Sequence, residues 1–173
     1  FDMWIVQLNA EGDLSEKRKI ASLDGSEKLT QIKWISDDRF LFIGENEENN
    51  DCIFGVFFFD GANIEIDYIR QIPVIGGYAR DPQMAFDEYG DAVIVWNVFN
   101  NAASKFDRIQ VSKFPYATAN TGWEWTKTLS VSGDFQSIKH AGITVDIFGN
   151  YTVVCDVVEA QDSRYALIEY LKY

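Results

Sequence analysis

Two stretches of this chain read almost alike: AFDEYGDAVIVWN at 85–97 and TVDIFGNYTVVCD at 144–156, 59 residues apart. In each, an aspartate is followed three residues on by a glycine, and an apolar run comes next: Ala92-Val93-Ile94-Val95-Trp96, or Tyr151-Thr152-Val153-Val154-Cys155. Aspartate suits the first position of a type I turn because its carboxylate accepts nearby backbone N–H groups, and Gly90 or Gly149 can take positive φ without a Cβ clash. The pairs Asp87/Gly90 and Asp146/Gly149 are therefore read as turn chemistry joining two strands, scaffold and not site. A strand that is apolar on both faces is what a sheet packed between two others requires, so both runs are expected to be internal to a stack of sheets.

The segment KWISDDRFLFIGE at 33–45 fits the same frame 52 residues before the first copy, with Asp38 at the glycine position. Aspartate tolerates the left-handed conformation that glycine prefers. After each second strand comes a third, at Phe54–Asp60, Phe106–Phe114 and Tyr165–Tyr173, and a fourth follows twice, near Ile64–Ile72 and Trp123–Val131. Phe1–Asn9 resembles the third strands and Lys17–Leu23 the fourth. Helical periodicity is nearly absent, so the chain reads as all-β. Four antiparallel strands in a unit of roughly 50 to 60 residues is the pattern of a propeller blade. The expected fold is a partial β-propeller of about three four-stranded antiparallel blades. The division is 1–28 as strands three and four of an opening blade, 29–80 and 81–137 as blades, and 138–173 as an incomplete blade.

The 33–45 segment resembles the W-x-x-D-G-x-x-x-x-F phrase of TolB-type propeller blades, and the other two copies resemble the D-x-x-G-N-A-x-x-V-W repeats of bacterial propeller proteins of unassigned function. The resemblance spans most of the chain and implies the propeller fold, but its motifs mark a hairpin and no activity. WD40 repeats fit less well, since no Trp-Asp ends the third strands. The sialidase Asp box, S-x-D-x-G-x-x-W, is not matched: Trp96 lies nine residues after Asp87, and nothing equivalent follows Asp146.

Composition narrows the partners. Fifteen Lys and Arg against 27 Asp and Glu leave a net charge of −12, which repels phosphate backbones and anionic membrane surfaces and argues against nucleic acid. The strongest apolar run, Ile53–Phe59, is far below the roughly 20 residues of a membrane-spanning helix. Cys52 and Cys155 make no disulfide framework and leave the compartment open, with a periplasmic, secreted or cell-surface setting favoured. The opening FDMWIVQLN has no initiator Met, basic region or cleavage site, so it reads as neither a native start nor a signal peptide. The overlap of the two ends at strand three leads to the expectation of a fragment or open arc whose ends do not pair, with Tyr165–Tyr173 as an open edge prone to self-association.

In propellers the usual ligand mouth is the face opposite the Asp/Gly hairpins, an analogy of fold alone. Candidates there are Arg80 and Asp81 before one first strand, Lys139 and His140 before the next, and the residues closing the second strands: Glu45, Asn97 and Asp156. His140 is the single histidine, which excludes a multi-histidine metal site, and no nucleophile stands at a telling spacing from it. The acidic run Glu45–Asp51 offers oxygen ligands but lacks the order and glycine of a calcium loop, and reads as a solvated loop. Trp123 and Trp125, two apart on one strand face, suit either a sugar platform or packing between sheets. No cofactor or metal is implied. The chain therefore reads as a non-catalytic binding module for a protein or polymeric ligand. Alternatives are a glycan-binding or glycan-hydrolysing propeller and a purely structural repeat that assembles with other chains.

Overall fold

A computed structural model describes residues 4–6, 10–13, 18–19, 27–36, 38–46, 48, 51–60, 63–72, 74, 76–87, 90–115, 125–130, 135–159 and 164–171. They divide into two compact units, Phe1–Ile72 and Pro73–Tyr173. Among the described residues all regular structure is antiparallel β, and no helix is long and apolar enough to cross a membrane.

In the first unit, β1 (Trp4–Ile5) pairs with β2 (Arg18–Lys19), and β3 (Glu27–Ser36), β4 (Arg39–Asn46), β5 (Asp51–Asp60) and β6 (Asn63–Gln71) form a four-stranded meander. The core of the meander is aromatic. Phe42, Ile53 and Phe57 are buried, with Phe40, Phe59, Ile64, Ile66 and Ile69 packed on them. Phe40 stacks on Phe57 at 5.1 Å between ring centroids and meets Trp34 edge-on at 4.7 Å. Gly55 is required by close approach: a Cβ there would stand 2.5 Å from the Tyr68 carbonyl oxygen and 2.7 Å from the Phe42 ring.

In the second unit, β7 (Gly77–Phe86), β8 (Ala92–Asn100), β9 (Lys105–Phe114) and β10 (Trp125–Ser130) make a second meander. A third sheet follows, in the order β11 (Phe135–Val145), β12 (Tyr151–Glu159) and β13 (Arg164–Leu171). β11 packs against β7, β8 and β9. Strand alternation builds the interface: Val93 and Val95 of β8 and Ile109 and Val111 of β9 meet Ile138, Ala141, Tyr151, Val153, Cys155 and Val157 of the third sheet. β8 is buried from Ala92 through Val98, on both faces, as its unbroken apolar run requires. Trp96 is fully buried on the other face, where its indole N–H donates to Gln110 Oε1 at 3.2 Å and Gln110 Nε2 donates to Thr128 Oγ1 at 3.4 Å. β12 departs from the expectation of a strand internal on both faces. Tyr151, Val153, Cys155 and Val157 are buried, whereas Val154 and Asp156 are exposed, so one face meets solvent among the described residues.

The quoted hairpins are turns of the anticipated chemistry. Gly90 N–H donates to the Asp87 carbonyl and Gly149 N–H to the Asp146 carbonyl, both at 3.1 Å, and the two glycines have φ of 84° and 77°. Each is a turn closed by a bond from the fourth residue's N–H to the first residue's carbonyl, with a glycine in the left-handed region at the fourth position. Asp87 Oδ1 accepts from Asp91 N–H, and Asp146 Oδ1 accepts from Phe148 and Asn150 N–H. The first copy differs. Ser36 pairs directly with Arg39, leaving a two-residue connection in place of the five-residue loops 87–91 and 146–150, and Asp38 does not have positive φ. The glycine-like role expected of Asp38 is thus corrected: the shorter connection has no left-handed residue at that place.

Candidate functional site

β7 and β11 each carry a β-bulge at the same place. The register shifts between Arg80 and Gln83, so that Asp81 and Pro82 oppose Trp96, and again between Lys139 and Gly142, so that His140 and Ala141 oppose Cys155. Asp81 has φ of 49° and His140 of 53°, two of three non-glycine residues with positive φ among the described residues. A left-handed conformation at a residue with a Cβ costs on the order of 1 to 3 kcal/mol and persists where its surroundings impose it. Asp81 and His140 stand 59 residues apart, the spacing of the quoted repeat, as do Asn97 and Asp156.

Each bulge residue reaches across to the neighbouring strand. Asn97 Nδ2 donates to Asp81 Oδ2 at 3.4 Å, and His140 Nδ1 lies 3.0 Å from Asp156 Oδ2. The same through-space pair is built twice from different chemistry. Asn97 is 1% exposed and its Oδ1 is buried without a hydrogen-bond partner in the structure. His140 and Asp156 are exposed, so their pairing is screened by water and contributes little stability. Among the described residues no serine, threonine or cysteine side chain is bonded to the His140 ring, and no three His, Cys, Asp or Glu side chains gather as metal ligands.

The candidates read from sequence are therefore brought together in two pairs, Asp81 with Asn97 and His140 with Asp156. Their placement is corrected. Arg80, Asp81, Lys139 and His140 lie inside β7 and β11 and not in loops before them, because the strands begin at Gly77 and Phe135. Asn97 and Asp156 do not close their strands, which run on to Asn100 and Glu159. A bulge bends and twists its strand without ending it, so polar residues recur within continuous pairing. Arg80 lies opposite Asn97 in register, with its guanidinium 5.2 Å from the Tyr78 ring centroid, and Lys139 lies opposite Asp156. Glu45 belongs to the first unit, where it is buried on β4 opposite Lys28 and Cys52. β3 also has a bulge at that level, the extra residue being Thr30, whose Oγ1 is buried without a partner. The acidic run 45–51 and the Trp123/Trp125 pair fall partly outside the described residues.

A second polar cluster escaped sequence reading. Lys113 Nζ lies 3.2 Å from Asp87 Oδ2 and 3.2 Å from Asp91 Oδ2, and the Tyr151 hydroxyl donates to Asp87 Oδ2 at 3.2 Å. Burial pushes the Lys113 pKa down. The hydrogen bonds to Asp91 and Asp87, with the charges of Tyr151 and Asp87, push it up by more, and the group sits above the ordinary lysine value. The cluster is buried and ties two sheets, which marks it as scaffold.

No protein-family model matches the chain, and no curated protein matches it. Among solved structures it is similar to the Hadza microbial sialidase Hz136, with a TM-score of 0.51 and 10% sequence identity over 78% of this chain. The match spans 33% of that protein's length. At this identity the likeness is one of fold.

Proposed function

We propose that the chain is part of a β-propeller, about three four-stranded blades of a TolB-like or related bacterial repeat, acting as a non-catalytic binding module for a protein or polymeric ligand. The observation that carries this reading is the repeated bulge. Two successive sheets hold a left-handed residue with a polar partner across the strand, Asp81 with Asn97 and His140 with Asp156. Backbone strain repeated at polar side chains is more readily accounted for by ligand contact than by packing, because an unstrained residue would serve packing at least as well. The likeness in fold to a sialidase supports the propeller architecture. β13, an end strand of its sheet among the described residues, offers an edge through which copies of the chain would pair.

The test is amide chemical-shift mapping of the folded protein against sets of oligosaccharides and peptides. A ligand that moves residues 80–82 or 139–141 is the expected result; ligands that move only the 87–91 and 146–150 turns would overturn the reading. A second reading, glycan hydrolysis, draws on the name of the similar structure and on the carboxylates Asp81 and Asp156. Two carboxylates at a distance of roughly 5 to 10 Å across a cleft would be needed. Release of reducing sugar, lost in Asp81→Asn and Asp156→Asn alike, would favour it.

A further inference from the structure

We infer that copies of this chain associate head to tail, with the tip of the β11–β12 hairpin of one copy seated on an apolar face of β3 in the next. The partner is a second copy of the chain, and the inference rests neither on the bulges nor on the edge of β13.

The tip is a built protrusion. Asp146 Oδ1 accepts from Phe148 N–H at 2.8 Å and from Asn150 N–H at 2.9 Å, and Gly149 ends the turn with φ of 77°, so the backbone between them is fixed. That backbone holds Ile147 81% and Phe148 78% exposed. Turn chemistry does not ask for an apolar pair there: the sister turn has Glu88 and Tyr89 at the same two places, between the same aspartate and glycine. Because the turn has already ordered the backbone, a partner that covers the two side chains does so at little further cost in entropy.

The complementary surface lies on β3. Leu29, Ile32 and Trp34 stand opposite Gly44, Phe42 and Phe40 in register and so share one face, the bulge at Thr30 keeping Leu29 in step. They are 39%, 41% and 60% exposed, and five of the seven exposed large hydrophobics among the described residues belong to this face or to the tip. Exposed apolar side chains gathered in a patch mark an interaction site. Apart from the Trp34 indole N–H, the three side chains offer no hydrogen-bonding group, which suits an apolar partner and not a sugar. The charges agree in sign. The described exposed charges on β3 are Lys28 and Lys33, and the charge of the 146–150 turn is Asp146. A net charge of −12 repels one copy from another, so copies would meet where apolar surface lies beside opposite charge. A tip on a face is a heterologous contact: each pair keeps one open tip and one open face, and the series does not end at a dimer.

The test is sedimentation equilibrium of the folded protein at concentrations up to about 1 mM, since so small a contact should have a Kd on the order of 100 μM. The expected result is that the average mass of the parent climbs past that of a dimer as concentration rises. Phe148→Lys, which spoils the tip, and Ile32→Lys, which spoils the face, should each stay monomeric alone. An equimolar mixture of the two variants should stop at a one-to-one dimer, because only one intact tip and one intact face remain to meet. Trp34→Lys takes the place of Ile32→Lys if the latter shows no cooperative thermal transition. A parent that is monomeric throughout overturns the inference. Association of Phe148→Lys alone would mean that face meets face or that β13 edges pair, and association of the face variant alone would mean that tip meets tip; either result overturns it, as does a mixture that stays monomeric.

Discussion

The Tyr151 hydroxyl, at the start of β12, donates to the Asp87 carboxylate at the end of β7, 3.2 Å away across the boundary between two sheets. The same Asp87 oxygen meets Lys113 Nζ, and its other oxygen closes the hairpin through Asp91 N–H. One aspartate thus serves turn, strand pair and sheet contact at once, whereas its repeat counterpart Asp146 is exposed, with its carboxylate accepting from Phe148 and Asn150 of its own turn.

Asp87→Ala and Asp146→Ala should therefore differ sharply. Loss of the Asp146 cap is expected to cost on the order of 1 kcal/mol. Asp87→Ala strips a buried ammonium of a counter-charge and a buried phenol of its Asp87 acceptor, and is expected to cost about 3 kcal/mol. Urea unfolding of the two variants measures the difference; equal losses would show that the Lys113 cluster adds nothing.

Lys113 gives the protein an alkaline limit. Its pKa is raised in the folded state above the ordinary 10.5, so the native protein holds this proton more tightly than the unfolded chain. The stabilisation is complete below the unfolded value and is lost as pH rises toward the folded one. Stability of Lys113→Met, lower throughout because Asp87 and Asp91 are left facing each other, should fall less steeply above pH ~10.5 than that of the parent. Melting temperatures of both proteins between neutral pH and strong alkali test this.

Gln110→Leu removes the acceptor of a fully buried indole N–H and should cost about 1 to 3 kcal/mol, most of it the desolvation penalty of Trp96. Replacing both partners, Trp96→Phe with Gln110→Leu, should recover part of that loss. A double-mutant cycle reads the coupling.

The two-residue connection at 36–39 reverses one expectation. Glycine at position 38 has no left-handed residue to relieve, and it enlarges the freedom of the unfolded chain. Asp38→Gly should lower stability by about 0.5 to 1 kcal/mol, measured by thermal unfolding.

What the sequence disclosed and what it withheld divide along physical lines. The Asp87/Gly90 and Asp146/Gly149 turns were legible because a tight turn ending in positive φ is specified by residues within it. Strands β5, β6, β9 and β10 were legible from local apolar runs between turns. Neither the Lys113 cluster nor its link to Tyr151 leaves such a trace, since its members are distant in sequence and are gathered by packing alone. Asp81, Asn97, His140 and Asp156 were singled out as polar residues at strand ends, and their partnership within strands was missed. One signal was available: the apolar parity breaks from Ala79 to Pro82 and Met84, and from Ile138 to Ala141 and Ile143, as a bulge requires.

That parity break has a genetic reading. Ala79, Pro82 and Met84 are buried on β7, as are Ile138 and Ala141 on β11, and removing Asp81 or His140 outright would restore alternation and one-for-one pairing at that level of the strand. Each bulge residue is in effect a single codon inserted into a self-sufficient strand, able to be gained or lost without disturbing the register on either side. In-frame deletion of His140 should accordingly yield a folded protein with near-parental melting temperature, a tolerance seldom found for deletions inside a sheet. A lineage carrying this repeat could then change the polar pair at each bulge by length changes of one residue, sheet by sheet, while the scaffold between them stayed constant.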